Sequence, residues 1–174
     1  SYIKKDVLNI IYESDVVVSM MIDFYRLPSD TPSFSESTEV QTHKEQADLL
    51  EARMKEDLEN SQNQRFDNFI PYIQLHEFEA LVFASINGIT DLFERNEMNY
   101  DGLIDVIRQY PNPEDINNLP DTAPSVRLKK LIYGYNKVVD GINIITTAGM
   151  SVLLDKCPRF KDWVERMEAA LREE

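Results

Sequence analysis

The stretch that decides the fold is NFIPYIQLHEFEALVFAS, residues 68–85. It opens with a short, mainly apolar run from Phe69 to Leu75, which is typical of a strand buried on both faces. The run stops at His76, Glu77 and Glu79, so one of the two histidines and two carboxylates follow the strand directly. Functional sites of open α/β sheets lie just outside the carboxyl ends of the strands. These three side chains therefore mark a candidate site.

A second strand is expected before this stretch. Residues 16–23, VVVSMMID, are rich in β-branched side chains, are apolar on both faces, and end in Asp23. Between the strands the pattern predicts a long helix over residues 39–62, with Thr38 as its N-cap and a solvated acidic face. The strands of such a βαβ unit are parallel and joined by a right-handed crossover. This arrangement places Asp23 and His76 at the same edge of the sheet.

The second half of the chain is predicted to be mainly helical. Apolar side chains recur there at helical spacing, although residues 141–147 fit a strand or a helix equally well. Ser125 or Thr122 is a candidate cap for the helix that follows them. We therefore expect two domains: an α/β core over residues 1–86 and a helical C-terminal extension packed on it over residues 87–174.

A helix beginning near His76 would determine which candidate side chains act together. Residues two apart in an α-helix point about 200° away from each other, so Glu77 and Glu79 cannot share a face. His76 and Glu79 can, and they are the candidate catalytic pair. Asp23, Glu79 and Glu77 are the candidate ligands of Mg²⁺ or Mn²⁺, which prefer oxygen ligands and support phosphoryl transfer.

A structural explanation of the same residues stays open. Negative charge in the first turn of a helix is favoured by the helix dipole, which would account for Glu77 and Glu79 without any metal. His76 would then be an N-terminal cap. Spacing alone does not separate this explanation from the metal site.

The composition limits the classes of function. A formal net charge of −13 over 174 residues disfavours a free-standing nucleic-acid binder, so a contact with DNA or RNA would need a metal ion, a local basic patch or a basic partner. Cys157 is the single cysteine, which leaves no intrachain disulfide and no thiolate zinc cluster, and we expect it to be a packed residue. No apolar run has the length of a membrane span, and we expect a cytoplasmic protein that makes no membrane contact.

Four blocks of sequence carry a resemblance to a known family. They are MMIDFYRLPSDTP at 20–32, FIPYIQLHEFEALVFAS at 69–85, NPEDINNLPDTAPSVRL at 112–128 and KCPRFKDWVERME at 156–168. Together they resemble the uncharacterised prokaryotic family named domain of unknown function 4276 (DUF4276). That family is similar to the Toprim fold, the metal-binding α/β domain of topoisomerases, primases and OLD-type nucleases. The resemblance implies a Toprim-like partial parallel sheet with a mostly helical C-terminal half.

The resemblance also implies roles and partners. Asp23 matches the first acidic residue of the Toprim Asp-x-Asp strand end, and Glu79 is similar to the acidic residue of a later block. Members of the family resemble proteins encoded beside ABC/AAA-type ATPases, in settings suggestive of defence against phage. The implied cofactor is Mg²⁺ or Mn²⁺, the implied partner is such an ATPase, and nucleic acid is the potential substrate.

Two departures from the family pattern leave alternatives open. The family begins with a strand ending in Glu-Gly-x-Thr-Glu, which this sequence lacks, and we expect its first residues to lie downstream of that strand. Tyr25 stands at the second Asp-x-Asp position. The hypothesis is a metal-dependent nuclease-type component of a defence system, and the alternative is a non-catalytic regulatory partner of the ATPase with a degenerate metal site. A third possibility is a sensor that binds a signal through the loop at 28–38.

Overall fold

The computed structural model describes residues 2–116, 119 and 121–172, with the backbone alone for residues 2 and 3. Residues 117, 118 and 120, which belong to the third block of the resemblance, lie outside this description. The described chain is a mixed α/β structure with a small parallel sheet and mostly helical content, as predicted. Among the described helices, none is long and apolar enough to cross a membrane.

The sheet consists of β1, Val18–Asp23, and β2, Phe69–Gln74. The described α-helices are α1 Tyr2–Ile10, α2 Phe34–Ser37, α3 His43–Gln62, α4 Ile86–Thr90, α5 Tyr100–Gln109, α6 Pro124–Leu131, α7 Asp140–Ala148, α8 Met150–Lys156 and α9 Pro158–Ala170. Short 3₁₀ helices cover Phe24–Arg26, Phe78–Ala84, Arg95–Glu97 and Pro113–Asp115. The ambiguous residues 141–147 are thus helical and lie within α7.

The two strands are parallel, which confirms that prediction of the βαβ unit. Val18 lies opposite Phe69, and the register runs to Asp23 opposite Gln74. Every residue of β2 is buried, whereas β1 is buried at Val18 and partly exposed beyond it. The predicted first strand was therefore right in place, although it begins two residues later than the pattern indicated.

The long helix α3 begins four residues later than predicted because a stronger start signal lies downstream of Thr38. The Thr42 hydroxyl accepts a hydrogen bond from the backbone N–H of Glu45, and the Glu45 carboxylate accepts one from the backbone N–H of Thr42. This capping box satisfies two amide donors that a helix start otherwise leaves unpaired. The prediction of Thr38 as N-cap was wrong. The predicted end at Gln62 is confirmed, and Asn63 follows it in the left-handed conformation at φ 49°.

The described residues form two compact units, residues 2–75 with 162–172, and residues 76–161. A compact unit is not the same thing as a domain, so the expected boundary between residues 86 and 87 stays a prediction. Each unit has an apolar core of its own.

The first unit packs α1 and α3 against the sheet. One apolar cluster joins α1 to the start of both strands, through Val7, Ile11, Val18, Leu58, Phe66 and Phe69. A second cluster joins α3 to the end of β2, through Ala47, Leu50, Ile73 and Leu75. From residue 162 onward α9 belongs to this unit: Trp163 stacks on Tyr72 with ring centroids 4.7 Å apart and donates its indole N–H to the Ser19 hydroxyl at 2.8 Å.

A buried carboxylate completes the hydrogen bonding of β2. Glu51 on α3 is 7% exposed and accepts the backbone N–H of Ile73 at 2.7 Å. The Arg166 guanidinium lies 3.7 Å from the second Glu51 oxygen. The acid therefore gives β2 a hydrogen-bond acceptor where the small sheet has no third strand among the described residues.

The second unit is organised around the 3₁₀ helix Phe78–Ala84. Val82 and Phe83 lie in the centre of an apolar cluster to which α4, α5, α6 and α7 contribute, through Ile89, Leu103, Val106, Leu128 and Ile144. The segment that follows β2 is thus the core of this unit and not its surface.

Glu114 holds the start of α9 in the second unit. Its side chain is buried, with 1% of the residue exposed. The carboxylate accepts the backbone N–H groups of Arg159 at 2.9 Å and Phe160 at 3.1 Å, which are donors in the first turn of α9. Glu114 lies in the 3₁₀ turn Pro113–Asp115 and thus connects this turn to the start of α9 at Pro158.

Removing this carboxylate should destabilise the protein. Glu114→Ala leaves two buried N–H donors without their acceptor, and we expect the free energy of unfolding to fall by about 1–3 kcal/mol. Glu114→Gln keeps one acceptor oxygen and should lose less. Urea denaturation followed by circular dichroism measures both variants. Asp105→Ala, at an exposed position of α5, is the matched control and should change stability by less than about 0.5 kcal/mol. Equal stability of Glu114→Ala and the control would contradict the assignment.

Candidate functional site

The chain turns sharply at the end of β2. His76 has a left-handed backbone at φ 64°, and Glu77 is extended at φ −135° and ψ 153°. The 3₁₀ helix begins only at Phe78. An α-helix starting at His76 was therefore the wrong prediction, because a left-handed residue cannot belong to a right-handed helix. The argument that His76 and Glu79 share one helical face fails for the same reason.

The structural roles suggested for His76 and Glu77 also change. Glu77, and not His76, occupies the N-cap position of the 3₁₀ helix, and the Glu77 side chain makes no capping hydrogen bond there. His76 is buried, at 6% exposure. A left-handed conformation in a residue other than glycine costs on the order of 1 kcal/mol, and it is maintained here at the junction between β2 and Glu79.

Glu77 caps a different helix. Its Oε2 accepts the backbone N–H of Ser125, in the first turn of α6, at 2.9 Å. The N-cap residue of α6 is Ala123, and no side chain of the cap residue itself contributes a hydrogen bond. Neither Ser125 nor Thr122 is therefore the cap that the sequence predicted. Glu77 supplies the acceptor from 48 residues earlier in the chain.

Glu79 is the most unusual carboxylate of the second unit. The residue is 0% exposed, and the Lys137 ammonium lies 2.7 Å from its Oε1. This contact is an ion pair and not a well-aligned hydrogen bond, because neither Glu79 oxygen accepts a hydrogen bond from any described residue. The Lys137 side chain is 42% exposed. A fully buried acid is thus ion-paired with a lysine whose side chain is partly exposed to solvent.

A buried tyrosine completes this cluster. The Tyr135 hydroxyl is enclosed and has no hydrogen-bond partner among the described residues. Burial raises the pKa of the Tyr135 phenol well above its usual value, and nearby carboxylates, Glu79 first, raise it further. A Cβ atom at Gly141 would come within 2.9 Å of the phenol oxygen, so a larger residue there would displace the Tyr135 hydroxyl. Tyr135 therefore stays protonated, and its hydroxyl is available to donate a hydrogen bond to a further group.

Sequence reasoning missed Tyr135 and Lys137. They lie 56 and 58 positions after Glu79 in a turn between α6 and α7, and no local motif distinguishes them. The adjacent basic residues Lys129 and Lys130 are exposed on α6. Only the packing of α7 on the 3₁₀ helix brings the missed pair to Glu79.

Asp23 ends β1 and belongs to the first unit, whereas His76, Glu77 and Glu79 belong to the second. Its participation with Glu79 in one metal site stays a prediction. Within the described residues, no group of three or more His, Cys, Asp or Glu side chains is arranged to hold a metal ion.

Cys157 is a packed residue, as expected. It is 0% exposed. Burial raises the pKa of its thiol far above the usual range, and the charge of Glu114 adds to the shift. A protonated, inaccessible thiol is a poor nucleophile.

These features define a class: a small mixed α/β protein with a fully buried acidic side chain after its second strand, ion-paired to a lysine. The family model described as Domain of unknown function (DUF4276) matches residues 1–168, and the chain belongs to this family. Neither a curated protein nor a solved structure matches the chain.

The burial of Cys157 gives a direct chemical test. We expect the folded protein to react with a disulfide reagent such as DTNB at mildly alkaline pH at least about 100-fold more slowly than the denatured protein, because thiolate character and access govern the rate. Absorbance at the thionitrobenzoate band measures this. Ser151→Cys, at an exposed position of α8, is the control and should add one thiol that reacts fast without denaturant. Fast reaction of the native wild-type thiol would contradict the assignment.

Proposed function

We propose that this protein is a Toprim-like, metal-dependent phosphodiester hydrolase of nuclease type that works with an ABC/AAA-type ATPase in defence against phage. The observation that carries the proposal is the Glu79 carboxylate, which is fully buried while neither of its oxygens accepts a hydrogen bond from the described residues. A buried carboxylate in this condition costs several kcal/mol. Groups of this kind are concentrated at functional sites, where a cation or a substrate supplies a further partner beside the Lys137 ion pair.

The cation in this proposal is a hard divalent ion, and Glu79 is its central ligand. Glu79 offers oxygen atoms without a hydrogen-bond donor, and carboxylate oxygens are the ligands that Mg²⁺ and Mn²⁺ prefer. Such an ion would supply Lewis-acid stabilisation of the phosphoryl group and a more acidic bound water. Glu79 is the proposed ligand or general base, with Glu77 as a further ligand and His76 as an assisting base. Asp23, at the end of β1, is a proposed ligand that mutation tests separately.

Lys137 and Tyr135 have distinct tasks in this proposal. The Lys137 ammonium is partly exposed, so it can bind a phosphate oxygen of the substrate while it balances the charge of Glu79. In a protein of net charge −13, such local positive charge is what a nucleic-acid backbone needs. Tyr135 stays neutral, so in this proposal its hydroxyl supplies a proton to a leaving oxygen of the substrate.

The relation to the Toprim fold is part of the proposal. It is supported by a parallel β1–β2 pair whose carboxyl ends carry Asp23 and the His76 turn. The association with an ATPase, nucleic acid as substrate and the role in phage defence rest on the resemblance of the four sequence blocks.

One observation favours a second candidate, a non-catalytic regulatory partner of the ATPase. Lys137 holds its ammonium 2.7 Å from Glu79, which is where a metal-binding acid would meet its cation. Tyr25, at the second Asp-x-Asp position, is 45% exposed and offers no carboxylate. If the Lys137 ammonium takes the place of the metal ion, the protein keeps its fold but does not catalyse the metal-dependent reaction.

Nuclease activity tests the first candidate. With Mg²⁺ or Mn²⁺ and the neighbouring ATPase, we expect the full-length protein to cleave DNA or RNA, and Glu79→Ala to lower the rate by about 10²–10⁴-fold, the usual effect of losing a general acid–base group. Asp23→Ala should also lower the rate if it binds the same ion. Asp105→Ala, at an exposed carboxylate, should not. Equal rates for Glu79→Ala and wild type would remove Glu79 from the mechanism.

Metal linkage separates the two candidates without an activity assay. An ion that binds only the folded state raises its stability by about 2.7 kcal/mol at one hundred times the Kd. For a metal site, Mg²⁺ or Mn²⁺ should raise the melting temperature of the wild type but not of Glu79→Ala. For the regulatory partner, neither protein should respond, and Lys137→Met should lose about 1–3 kcal/mol of stability because it leaves the buried Glu79 charge unpaired.

A further inference from the structure

The first unit contains a cavity of about 410 Å³ that the site around Glu79 does not use. It lies beneath the loop that follows β1 and is bounded by α1, α3 and the start of β2. This volume falls in the range of about 300–1,000 Å³ typical of small-molecule sites. Every lining residue belongs to the first unit.

The base of the cavity is apolar. Val7, Leu58 and Phe69 line it and are 6%, 2% and 3% exposed. Met20 and Met54 line it as well and are partly exposed. Methionine side chains are flexible and polarizable, and they adapt to apolar ligands of different shape. A ligand would therefore place a hydrocarbon part here.

The wall formed by the loop is fixed by its own hydrogen bonds. Thr31 is buried at 8% exposure. Its hydroxyl donates to the Pro28 carbonyl at 2.7 Å, and its backbone N–H donates to the same carbonyl at 3.0 Å. Asp30 lies within this turn and lines the cavity. The carboxylate at the mouth is thus carried by an ordered turn.

The charged side chains at the mouth of the cavity determine whether a cationic or an anionic ligand is favoured. The Lys4 ammonium is already engaged, since it donates to Asp57 Oδ2 at 2.7 Å and to the Asp57 carbonyl at 3.0 Å. Asp30, by contrast, makes no hydrogen bond or ion pair with any described residue. Lys4, Asp57 and Asp30 together leave one uncompensated negative charge. This charge would repel an anionic ligand such as a nucleotide, and the lining offers no free lysine to bind it.

We propose that this cavity binds a small organic cation, an apolar chain or ring that carries one protonated amine. The hydrocarbon part lies against Met20, Met54 and Leu58, and the ammonium lies at Asp30. This site is independent of the proposed metal chemistry, since it uses none of the residues assigned there.

Three probes of equal chain length and different charge test the proposal: octylammonium, 1-octanol and octanoate. Calorimetric titration of the whole protein at neutral pH should show that octylammonium binds at least about tenfold more tightly than octanoate, because Asp30 attracts the one and repels the other. In protein labelled at the methionine methyl groups, octylammonium should shift the Met20 and Met54 resonances. Met98 and Met150, which do not line the cavity, should not move.

Two variants locate the site. Asp30→Asn should weaken octylammonium by about fivefold, which corresponds to about 1 kcal/mol for an exposed ion pair, and should leave octanol unchanged. Glu39→Gln, at an exposed carboxylate outside the lining, is the matched control and should bind as the wild type does. Met54→Trp should fill the cavity and remove binding of both probes. Asp30→Asn changes only an exposed side chain, so its result stands even if Met54→Trp does not fold.

The proposal is overturned by any of four results. These are octanoate binding as tightly as octylammonium, the same affinity for octylammonium in Asp30→Asn and wild type, methionine shifts that spare Met20 and Met54, and no saturable binding of any of the three probes.

Discussion

Strand β2 is buried along its whole length, and the hydrogen bonding of its backbone is the constraint on which the rest of the structure depends. A buried strand must pair its N–H and C=O groups, because leaving one unpaired costs about as much as a lost hydrogen bond. One edge of β2 pairs with β1. At Ile73 the carboxylate of Glu51 accepts the backbone N–H. Helix α3 must therefore both cover β2 with apolar side chains and carry an acid into the core.

Two buried carboxylates, Glu51 and Glu114, and the partly buried Glu77 accept hydrogen bonds from backbone amides. Glu51 binds an amide of β2, Glu114 binds two amides of α9, and Glu77 binds one of α6. Each of these acids is explained by the fold, since it satisfies a donor that would otherwise be unpaired. Glu79 differs, because it is fully buried, is ion-paired with Lys137, and accepts no hydrogen bond from the described residues. This contrast is the physical ground for assigning function to Glu79 before the other acids.

The positions of the candidate site residues could be predicted from the sequence, but the local structure that follows β2 could not. Asp23, His76, Glu77 and Glu79 were found because they follow apolar strands, and strand ends are visible in a local pattern. The α-helix expected from His76 does not form, because the backbone of His76 is left-handed. The chain turns at this residue before it enters the core of the second unit. The 3₁₀ helix Phe78–Ala84 carries the core of the second unit. The local spacing of apolar side chains does not predict a turn that tertiary packing requires.

The sequence by itself determined the class of fold, the two parallel strands, most of the helices and the family, because these depend on short-range patterns of apolar side chains and on blocks of consecutive residues. Only the tertiary structure decided which acids accept backbone amides and which one is ion-paired with a lysine. That depends on partners 22 to 58 positions away along the chain, such as Ile73 for Glu51 and Lys137 for Glu79. Burial and pairing are properties of packed atoms, so no spacing in the sequence encodes them locally.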